Sequence, residues 1–416
     1  MATPSNICFL FLLLLLLRIA FACRALEEEL IVSRIAFGSC ANQSAPQPIW
    51  NAIVNYDPQL FIWLGDNIYG DIRRPFKFFG KERTIGPWKN VPRFVPTSEQ
   101  DMQLRYKEAK SNPGYSRLRR QAQVIGTWDD HDYGLNDAGK EFSGKNVSQR
   151  LMLDFLDEPQ DSPRRKQAGV YASYMFGPER KRVKVILLDT RYHRDPLFTD
   201  GTILGDSQWT WLEKELHGPK SQITIIASSI QRDGVFFISG DVHFGEIARY
   251  DCGCQYPLYE ITSSGLTQAV EKAVLPPFAF LVRVGAWLTP TTMRVFDQKC
   301  RHRSCTIGQP NFGAIEIDWD AAPVTLKLEV KDMDGVPVTS VNILLSDLQT
   351  RNVQKPTMKA GELLHHCSLE IDLPWIVRHR LAILFCGALS GLVIACLLLI
   401  YIVSISGRCL RKFKLD

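Results

Sequence analysis

The sequence lacks several features that would restrict the protein to a specialised class. Its 416 residues contain no evident internal repeat or low-complexity tract, and 28 glycines with 23 prolines are an ordinary share. A collagenous, disordered or small disulfide-stapled chain is therefore excluded. The 49 basic and 44 acidic residues leave a formal charge of +5, too small to indicate a nucleic-acid binding surface. A hydrophobic share of 45% is enough for a large core, and the length suits one large or two ordinary domains.

The N-terminus resembles a secretory signal, although it lacks a charged n-region. Ile7 to Phe21 form a Leu-rich apolar run, interrupted by Arg18, and small residues around Ala22 suit a signal peptidase. The run is short for a bilayer, which disfavours the alternative of an uncleaved membrane anchor. We therefore predict that residues 1–25 are a signal peptide.

A second apolar segment lies near the C-terminus. The 26 residues from Leu381 to Ser406 carry no charge, and a helix of that length, about 39 Å, can cross a hydrocarbon core of about 30 Å. We predict one transmembrane helix over 381–406, preceded by a juxtamembrane stalk at 350–380 and followed by a cytoplasmic tail at 407–416. Basic residues are more frequent after this helix, which predicts a single-pass type I protein with a lumenal body over residues 26–349.

The last five residues, Lys412 to Asp416, resemble the dilysine signal KxKxx that retrieves type I membrane proteins to the endoplasmic reticulum. We therefore expect residence in the endoplasmic reticulum, with coat machinery as a partner of the tail. The alternative is an ordinary basic stop-transfer flank in a protein of the plasma membrane.

An oxidising lumen changes how the eleven cysteines are interpreted. Four of them lie in one stretch of the body: Cys252, Cys254, Cys300 and Cys305. Disulfides among these four are favoured over metal binding, but the connectivity cannot be deduced. Sequons at Asn42 and Asn146 predict a glycoprotein.

The body contains short apolar segments separated by turn residues, which predict buried strands. These segments are 34–38, 60–64, 124–128, 183–188, 223–229 and 235–239. Helical patterns at 48–54, 98–118 and 208–216 lie between them, so the first half is predicted to be an α/β layered arrangement. Alternating apolar and polar residues at 313–319, 324–330 and 341–345 predict an antiparallel sheet beside the first.

A basic segment between Asp71 and Pro96 fits neither the helical nor the strand period. Its basic residues are Arg73, Arg74, Lys77, Lys81, Arg83, Lys89 and Arg93. This segment is either a solvated loop or a surface that attracts an anionic substrate.

Four polar motifs each follow a predicted strand: Gly38-Ser39-Cys40, Gly65-Asp66-Asn67-Ile68-Tyr69, Trp128-Asp129-Asp130-His131-Asp132 and Gly240-Asp241-Val242-His243. Ligands of α/β sheets bind beyond the carboxyl ends of strands. Carboxylates, imidazole and thiol brought together there need a multivalent cation. Singly, Asp66 could cap a helix and His243 could be an ordinary half-buried histidine. Together the four motifs predict a metal site.

This set of ligands suits phosphoryl chemistry. Oxygen ligands suit calcium, magnesium, manganese or ferric iron, whereas imidazole and thiolate favour a transition metal, so the mixture indicates more than one ion. In a two-metal site one ion turns bound water into hydroxide and the pair clamps the phosphoryl oxygens during in-line attack. His131 is suited to protonate the leaving alcohol, with an adjacent acid such as Asp132 to orient it.

The order of longer motifs FGSCxN, FIWLGDNIYGD, IGTWDDHDYGLND, VILLDTR, LGxxQWxWLE and FFISGDVHFGEI resembles the PhoD-like (alkaline phosphatase D) branch of the calcineurin-like metallophosphatases. The similarity runs from about Ile35 to the alternating strands after Phe312. It implies a two-sheet α/β sandwich of metallophosphoesterase type with flanking helices. It also implies hydrolysis of phosphomonoesters and phosphodiesters with ferric iron and calcium, although other divalent metals remain possible.

The resemblance also implies residue roles. Cys40, Asp66 and Tyr69 match the positions that hold the ferric ion, with Asp66 suited to bridging and Cys40 therefore free of disulfides. The second metal falls to Asp129 or Asp130, a choice that stays open. Asp241 and His243 would complete the cluster, and His131 matches the leaving-group acid. Arg191 is a candidate for steadying the phosphate, and an ordinary surface arginine is the alternative.

One connection departs from the family pattern. Ile223 to Ile230 and Val235 to Ser239 both predict buried strands, yet only residues 231–234 separate them, where the family has an extended loop and helix. Parallel strands usually need a crossover of a dozen residues. We therefore expect either a hairpin, which would displace Asp241 and His243, or a first segment that leaves the sheet. The alternative function is then a catalytically impaired, membrane-anchored binding or structural protein.

Overall fold

The computed structural model describes residues 30–73, 94–196, 199, 201–228, 237–250, 257–274, 279–288, 294–295, 300–302, 304–348 and 375–412. Several predictions from the sequence concern other residues. The signal peptide, most of the basic segment, Cys252 and Cys254, the connection 229–236, most of the stalk and the last four residues of the tail lie outside the described residues.

Strands form two six-stranded sheets in the described part of the chain. The first sheet has the order β14-β13-β12-β1-β2-β5 and the second the order β10-β11-β9-β8-β7-β6. The strands of the first sheet are β1 (Arg34–Gly38), β2 (Leu60–Leu64), β5 (Gln123–Thr127), β12 (Asn311–Asp318), β13 (Thr325–Asp332) and β14 (Pro337–Leu344). Those of the second are β6 (Ala172–Phe176), β7 (Val183–Leu187), β8 (Ile223–Ser228), β9 (Phe237–Ser239), β10 (Gly245–Tyr250) and β11 (Leu258–Ser263). A two-stranded ribbon joins β3 (Ile72–Arg73) to β4 (Phe94–Val95).

The main apolar core lies between the two sheets and confirms the predicted sandwich. It combines side chains of the first sheet, such as Ile35 and Ile62, with side chains of the second, such as Val185 and Ile225. Both β1 and β2 are buried along almost their whole length, as expected for parallel strands covered on two faces. The predicted bounds of these two strands are confirmed.

Helices flank the sheets. They are α1 (Ile49–Tyr56), α2 (Glu99–Ser111), α3 (Pro113–Gln121), α4 (Asp130–Tyr133), α5 (Lys145–Phe155), α6 (Gly205–His217), α7 (Ala279–Leu288), α8 (Trp375–Arg378) and α9 (Arg380–Lys412). An aromatic cluster packs α1 and α3 on the outer face of β2, since Trp50, Trp63 and Tyr115 have ring centroids 5.1–5.5 Å apart. The helical pattern predicted over 98–118 is confirmed, but it is divided between two helices. Pro113 starts a second helix, and Asn112 ends the first in a non-helical conformation.

The three alternating C-terminal strands do not form a separate sheet beside the first. β12 pairs antiparallel with β1, and β13 and β14 continue outward from it, so they extend the first sheet. The neighbouring sheet is built instead from β6 to β11. Because β1 offers one free edge after pairing with β2, antiparallel addition there buries that edge.

The strands around the short connection are parallel neighbours, so both expectations for them are wrong. Ile226 pairs with Phe237 and Ser228 with Ser239. The two strands overlap over only three residue pairs, so the connection must return along the strand direction by about 7 Å. The eight residues of the connection can reach about 26 Å, which is more than enough. No long crossover is needed for so short an overlap. The first segment stays in the sheet, and Asp241 remains at the carboxyl end of β9.

The C-terminal helix α9 contains an apolar stretch of 22 residues, Ala382–Val403, with a mean hydropathy of 2.8. None of this stretch is buried against the rest of the protein. By length and composition it could cross a membrane. It lies within the predicted span 381–406.

Candidate metal centre

The centre lies where the two sheets meet at the carboxyl ends of their strands. Cys40 follows β1, Asp66 follows β2, and Asp241 follows β9. Glycines permit the close approach, because a Cβ on Gly240 would come within 2.7–2.9 Å of atoms of Ser39 and Leu64. The sandwich therefore brings residues of both sheets into one site.

Four candidate ligands have left-handed backbone conformations that non-glycine residues rarely adopt. The φ angles are 61° at Cys40, 49° at Asp66, 69° at Asp241 and 61° at His243. Each such conformation costs about 1–3 kcal/mol, and residues in it cluster at functional sites. The surrounding hydrogen bonds hold these turns in place and thereby aim the side chains.

One segment fixes ligands from both sheets. After β11, the backbone N–H groups of Thr267 and Gln268 donate to the carbonyl oxygen of Cys40, and the N–H of Val270 donates to that of His243. The Ser264 hydroxyl accepts from the His243 backbone N–H at 2.8 Å and lies 3.2 Å from Cys40 Sγ. We name residues 264–271 the ligand clamp.

The Ser264 hydroxyl contacts both His243 and Cys40. Its oxygen already accepts the His243 N–H, so its own hydrogen is free to point at Cys40 Sγ. A donor aimed at sulfur favours the thiolate, the form that binds metal. Burial and the charge of Asp66 act in the other direction and raise the pKa of the Cys40 thiol well above its usual value.

The first ligand group consists of Cys40, Asp66 and His243, which each offer an atom within 4.8 Å of the others. Tyr69 joins them, since its hydroxyl lies 3.4 Å from His243 Nε2. Burial, with the neighbouring Cys40 and Asp66, raises the pKa of Tyr69. Cys40 forms no disulfide, as predicted. A thiol, a phenol and an imidazole beside a carboxylate suit a transition metal.

The second ligand group consists of Asp129, Asp130 and Asp241, again within 4.8 Å of one another. Asp66 also groups with Asp130 and His131, so its carboxylate lies between the two groups. Three carboxylates suit a hard cation such as calcium. The geometry includes both Asp129 and Asp130, and the choice that the sequence left open stays open.

Arg191 contacts the second group from behind. Its guanidinium pairs with Asp129 through Nε and Nη2, and its side chain is 2% exposed. The alternative of an ordinary surface arginine is therefore wrong. The second carboxylate oxygen of Asp129 is buried and has no hydrogen-bond partner. A buried carboxylate oxygen without a donor is costly, and a cation would satisfy it.

The carboxylates of the centre oppose each other's charge. Burial and the other acidic groups raise the pKa of Asp66, Asp129 and Asp241. Burial acts the same way on Asp130, but Arg191, His131 and backbone donors outweigh it and lower its pKa. Burial and mutual repulsion therefore disfavour the ionised form of Asp66, Asp129 and Asp241, and bound cations would stabilise that form. The residues therefore fit a pair of metal ions.

His131 lies beside both groups and is held from several sides. Its Nδ1 is 2.8 Å from Asp71 Oδ1, and its ring packs against Tyr69 and Phe94 at centroid distances of 4.3 and 5.5 Å. Burial alone would lower its pKa, but Asp66, Asp71 and Asp130 raise it to about 10. The three carboxylates thus favour the protonated ring in the metal-free protein.

Asp132 does not orient His131. Its two oxygens accept the backbone N–H groups of Asp66, Asn67 and Asp129 at 2.8–3.2 Å. The carboxylate that contacts the imidazole belongs to Asp71, which also accepts the Asn136 N–H at 3.0 Å. Asp132 and His131 are adjacent in the helix Asp130–Tyr133, and adjacent helical side chains do not face each other. Asp132 instead joins the turn after β2 to the turn after β5.

Two contributing residues received no role from the sequence. Asp71 closes the motif FIWLGDNIYGD, so its signal was present, but its distance to His131 depends on the fold. Ser264 lies in an unremarkable Ser-Ser-Gly sequence that nothing marks as part of a site. Of the cysteines, Cys300 and Cys305 form a disulfide, which is a pairing among the expected four.

Comparisons with known proteins agree with this fold and this site. Residues 35–233 match the family model of the PhoD-like phosphatases. A solved structure entitled "Structure of PhoD" superposes with a TM-score of 0.52 at 14% identity, covering 76% of this chain and 69% of that one, and it shows a shared fold. No curated protein sequence matches the chain. Residues 35–233 are therefore a PhoD-like phosphatase domain by their family match, and the sandwich fold and strand-end ligands agree with this family of metal-dependent phosphoester hydrolases.

Proposed function

We propose that this chain hydrolyses small phosphate esters, monoesters or diesters, at the centre formed by its two ligand groups. The single observation that carries the proposal is that Asp66 lies between the two groups with His131 beside it. Metal ions bound there would supply a nucleophile from water and positive charge for the phosphoryl oxygens. By family resemblance the ions are ferric iron and calcium.

The chain's own residues supply orientation and a proton. Asp71 holds Nδ1 of His131, which leaves Nε2 as the nitrogen that can donate to the leaving alcohol. Arg191 pairs with Asp129 and so fixes the direction of that ligand. A contact between Arg191 and the substrate phosphate stays a prediction. Ser264 and the ligand clamp hold Cys40 and His243 in their unusual backbone conformations.

The first test measures bound metal and turnover on the purified full-length protein. Hydrolysis of an aryl diester and an aryl monoester, lost on chelation and restored by added metal, is the expected result. Replacing His131 by Ala should reduce turnover of alkyl esters by about 10²–10⁴-fold, and of p-nitrophenyl esters by less, because a good leaving group needs no proton. Equal losses for both substrates would contradict the assigned role of His131.

A second test concerns the first ligand group. A tyrosinate bound to ferric iron absorbs visible light, so the iron-loaded protein should be coloured. Tyr69→Phe should remove the band while the iron content stays measurable. Persistence of the band in that variant would contradict Tyr69 as a ligand.

We further propose a type I orientation with a lumenal body and retrieval to the endoplasmic reticulum. The apolar helix α9 supports a membrane span, and the tail motif supports retrieval. Moving Lys412 and Lys414 to other tail positions at constant charge should release the protein to the cell surface. Unchanged location would remove coat machinery as a partner.

A second candidate function is a binding or structural protein that keeps the fold without turnover. The short connection 229–236 favours it, because the family has a longer segment before the GDVH motif. Bound metal without hydrolysis of either ester would support this candidate. Turnover that the ligand substitutions abolish would exclude it.

A further inference from the structure

Helix α7 presents a contiguous apolar face to solvent. Phe280, Leu281 and Val284 are 56%, 51% and 41% exposed. Their spacing of three and four residues places them side by side on one face of the helix. Arg283 is the only charged residue among the ten of α7. Large apolar side chains grouped in this way indicate an interaction surface.

The helix is fixed to the body through the ligand clamp. Arg283 makes two hydrogen bonds to Glu271, at 2.9 and 2.8 Å, and Glu271 is itself buried. The preceding residue, Val270, donates its backbone N–H to His243. The apolar face is therefore held in position by a charged pair at the edge of the metal centre.

Basic side chains lie on α7 and in nearby segments. Arg283 is on the helix itself, Lys272 is exposed next to Glu271, the partner of Arg283, and the Arg301 side chain is 52% exposed although it pairs with Asp332. Burial and the charges of Arg283 and Arg301 lower the pKa of His302, so this residue does not count among the charges. Apolar side chains with basic neighbours are typical of helices that lie in the interface of a lipid bilayer, where the charges face anionic head groups.

The proposed membrane span would hold the body close to a bilayer. The apolar stretch Ala382–Val403 is exposed throughout and long enough to span a membrane, and only residues 349–381 lie between it and Leu348, where the described part of the body ends. A tether of that length keeps the body near the surface that holds the span. We propose that the face formed by Phe280, Leu281 and Val284 docks into the surface of the bilayer that α9 crosses.

Photo-crosslinking on the full chain tests the proposal. The protein is placed in nanodiscs of phosphatidylcholine with phosphatidylserine, and Phe280 is replaced by p-benzoylphenylalanine, which is similar in shape. Leu104, 61% exposed on α2, is the matched control for a surface position, and Leu392 within the apolar stretch is the control for insertion. Lipid adducts are counted by mass spectrometry.

We expect a lipid adduct at position 280 about tenfold above that at 104, together with a strong adduct at 392. With the probe at Val284 instead, the double change Phe280→Ser and Leu281→Ser should reduce the adduct severalfold. An adduct at 392 without one at 280 would overturn the docking. A cross-link from 280 to a second copy or to another protein would overturn it as well. No adduct at either position would overturn both the docking and the membrane span, while leaving the proposed hydrolysis untouched.

Discussion

The two sheets contribute to the metal centre in different ways. The ligands from the first sheet, Cys40, Asp66, Asp129 and Asp130, are buried, and Asp132 joins two of their turns by backbone hydrogen bonds. The ligands from the second sheet, Asp241 and His243, are only partly buried. They follow β9, a strand of three residues, and His243 depends on the ligand clamp for its position.

One half of the centre is therefore part of the core, whereas the other half lies at its edge. Strands β1, β2 and β5 pair over four or five residues each, so the ends of these strands are fixed together. The pairing of β8 with β9 covers three residues. Changes in the first half should therefore damage both metal binding and folding, whereas changes in the second half should affect metal binding alone.

The largest effect is expected for Asp66→Asn, because its carboxylate lies between the two ligand groups. Turnover should fall by on the order of 10³-fold, and both metals should be lost, as metal analysis and ester hydrolysis would show. Asp57→Asn is the control, since Asp57 has a similar φ of 53° but is exposed and remote from the ligands. An Asp66 variant with full metal content would contradict the bridging role.

Asp241→Asn should have the next largest effect, and it tests the second half of the centre. We expect loss of one metal, a turnover lowered by roughly 10²-fold, and recovery at high metal concentration, because the remaining ligands stay in place. Thermal unfolding of the metal-free protein should be almost unchanged. A fall in melting temperature as large as that of Asp66→Asn would show that the two halves are equally part of the core.

Asp71→Asn separates positioning from metal binding. The amide can still contact His131 Nδ1, but it removes the charge that favours the protonated ring. We expect kcat to fall about 10- to 100-fold with metal content unchanged. The alkaline limb of the pH–rate profile should move to lower pH. A profile in the wild-type position would contradict a role through His131.

Ser264→Ala tests the ligand clamp. The change removes the donor to Cys40 Sγ and the acceptor for the His243 N–H, so affinity for the first metal should fall about tenfold. The tyrosinate band of the iron-loaded protein should shift, since loss of the hydrogen bond to sulfur changes the charge that Cys40 donates to the iron. Ser346→Ala, at an exposed serine outside both sequons, is the control. An unchanged band and affinity would show that the clamp acts only through its backbone.

The smallest effect concerns pH and the stability gained from metal. The raised pKa values of Asp66 and Asp241 mean that the metal-free protein is stabilised at low pH, and that this contribution is lost as the pH rises through the folded pKa values. Metal at about 100 times its Kd adds about 2.7 kcal/mol. The gain in melting temperature on adding metal should therefore be larger at pH 7.5 than at pH 5. A gain independent of pH would show that the carboxylates are already ionised without strain.

Much of the centre could be predicted because it depends on local sequence. Cys40 and Asp66 follow apolar strands whose bounds the structure reproduces, and their motifs are long enough to identify the family. The expectations that failed concern contacts between distant segments. The short connection can join β8 and β9 as parallel neighbours because they pair over only three residues, and no residue pattern gives that number. The sequence assigned the orientation of His131 to Asp132, but Asp71 contacts the ring. Both acids lie close to ligand motifs in the sequence, so only the folded distances distinguish them.

Residue patterns alone indicated the family resemblance, the α/β character and the chemical types of the ligands, because strand periodicity and residue type are local properties. The tertiary structure decided which acid holds His131, which serine faces Cys40, and how Asp241 and His243 reach the ligands of the other sheet. It also decided that an apolar helix stays exposed at the edge of the centre. These outcomes depend on distances between segments far apart in the chain, and only packing of the two sheets sets those distances.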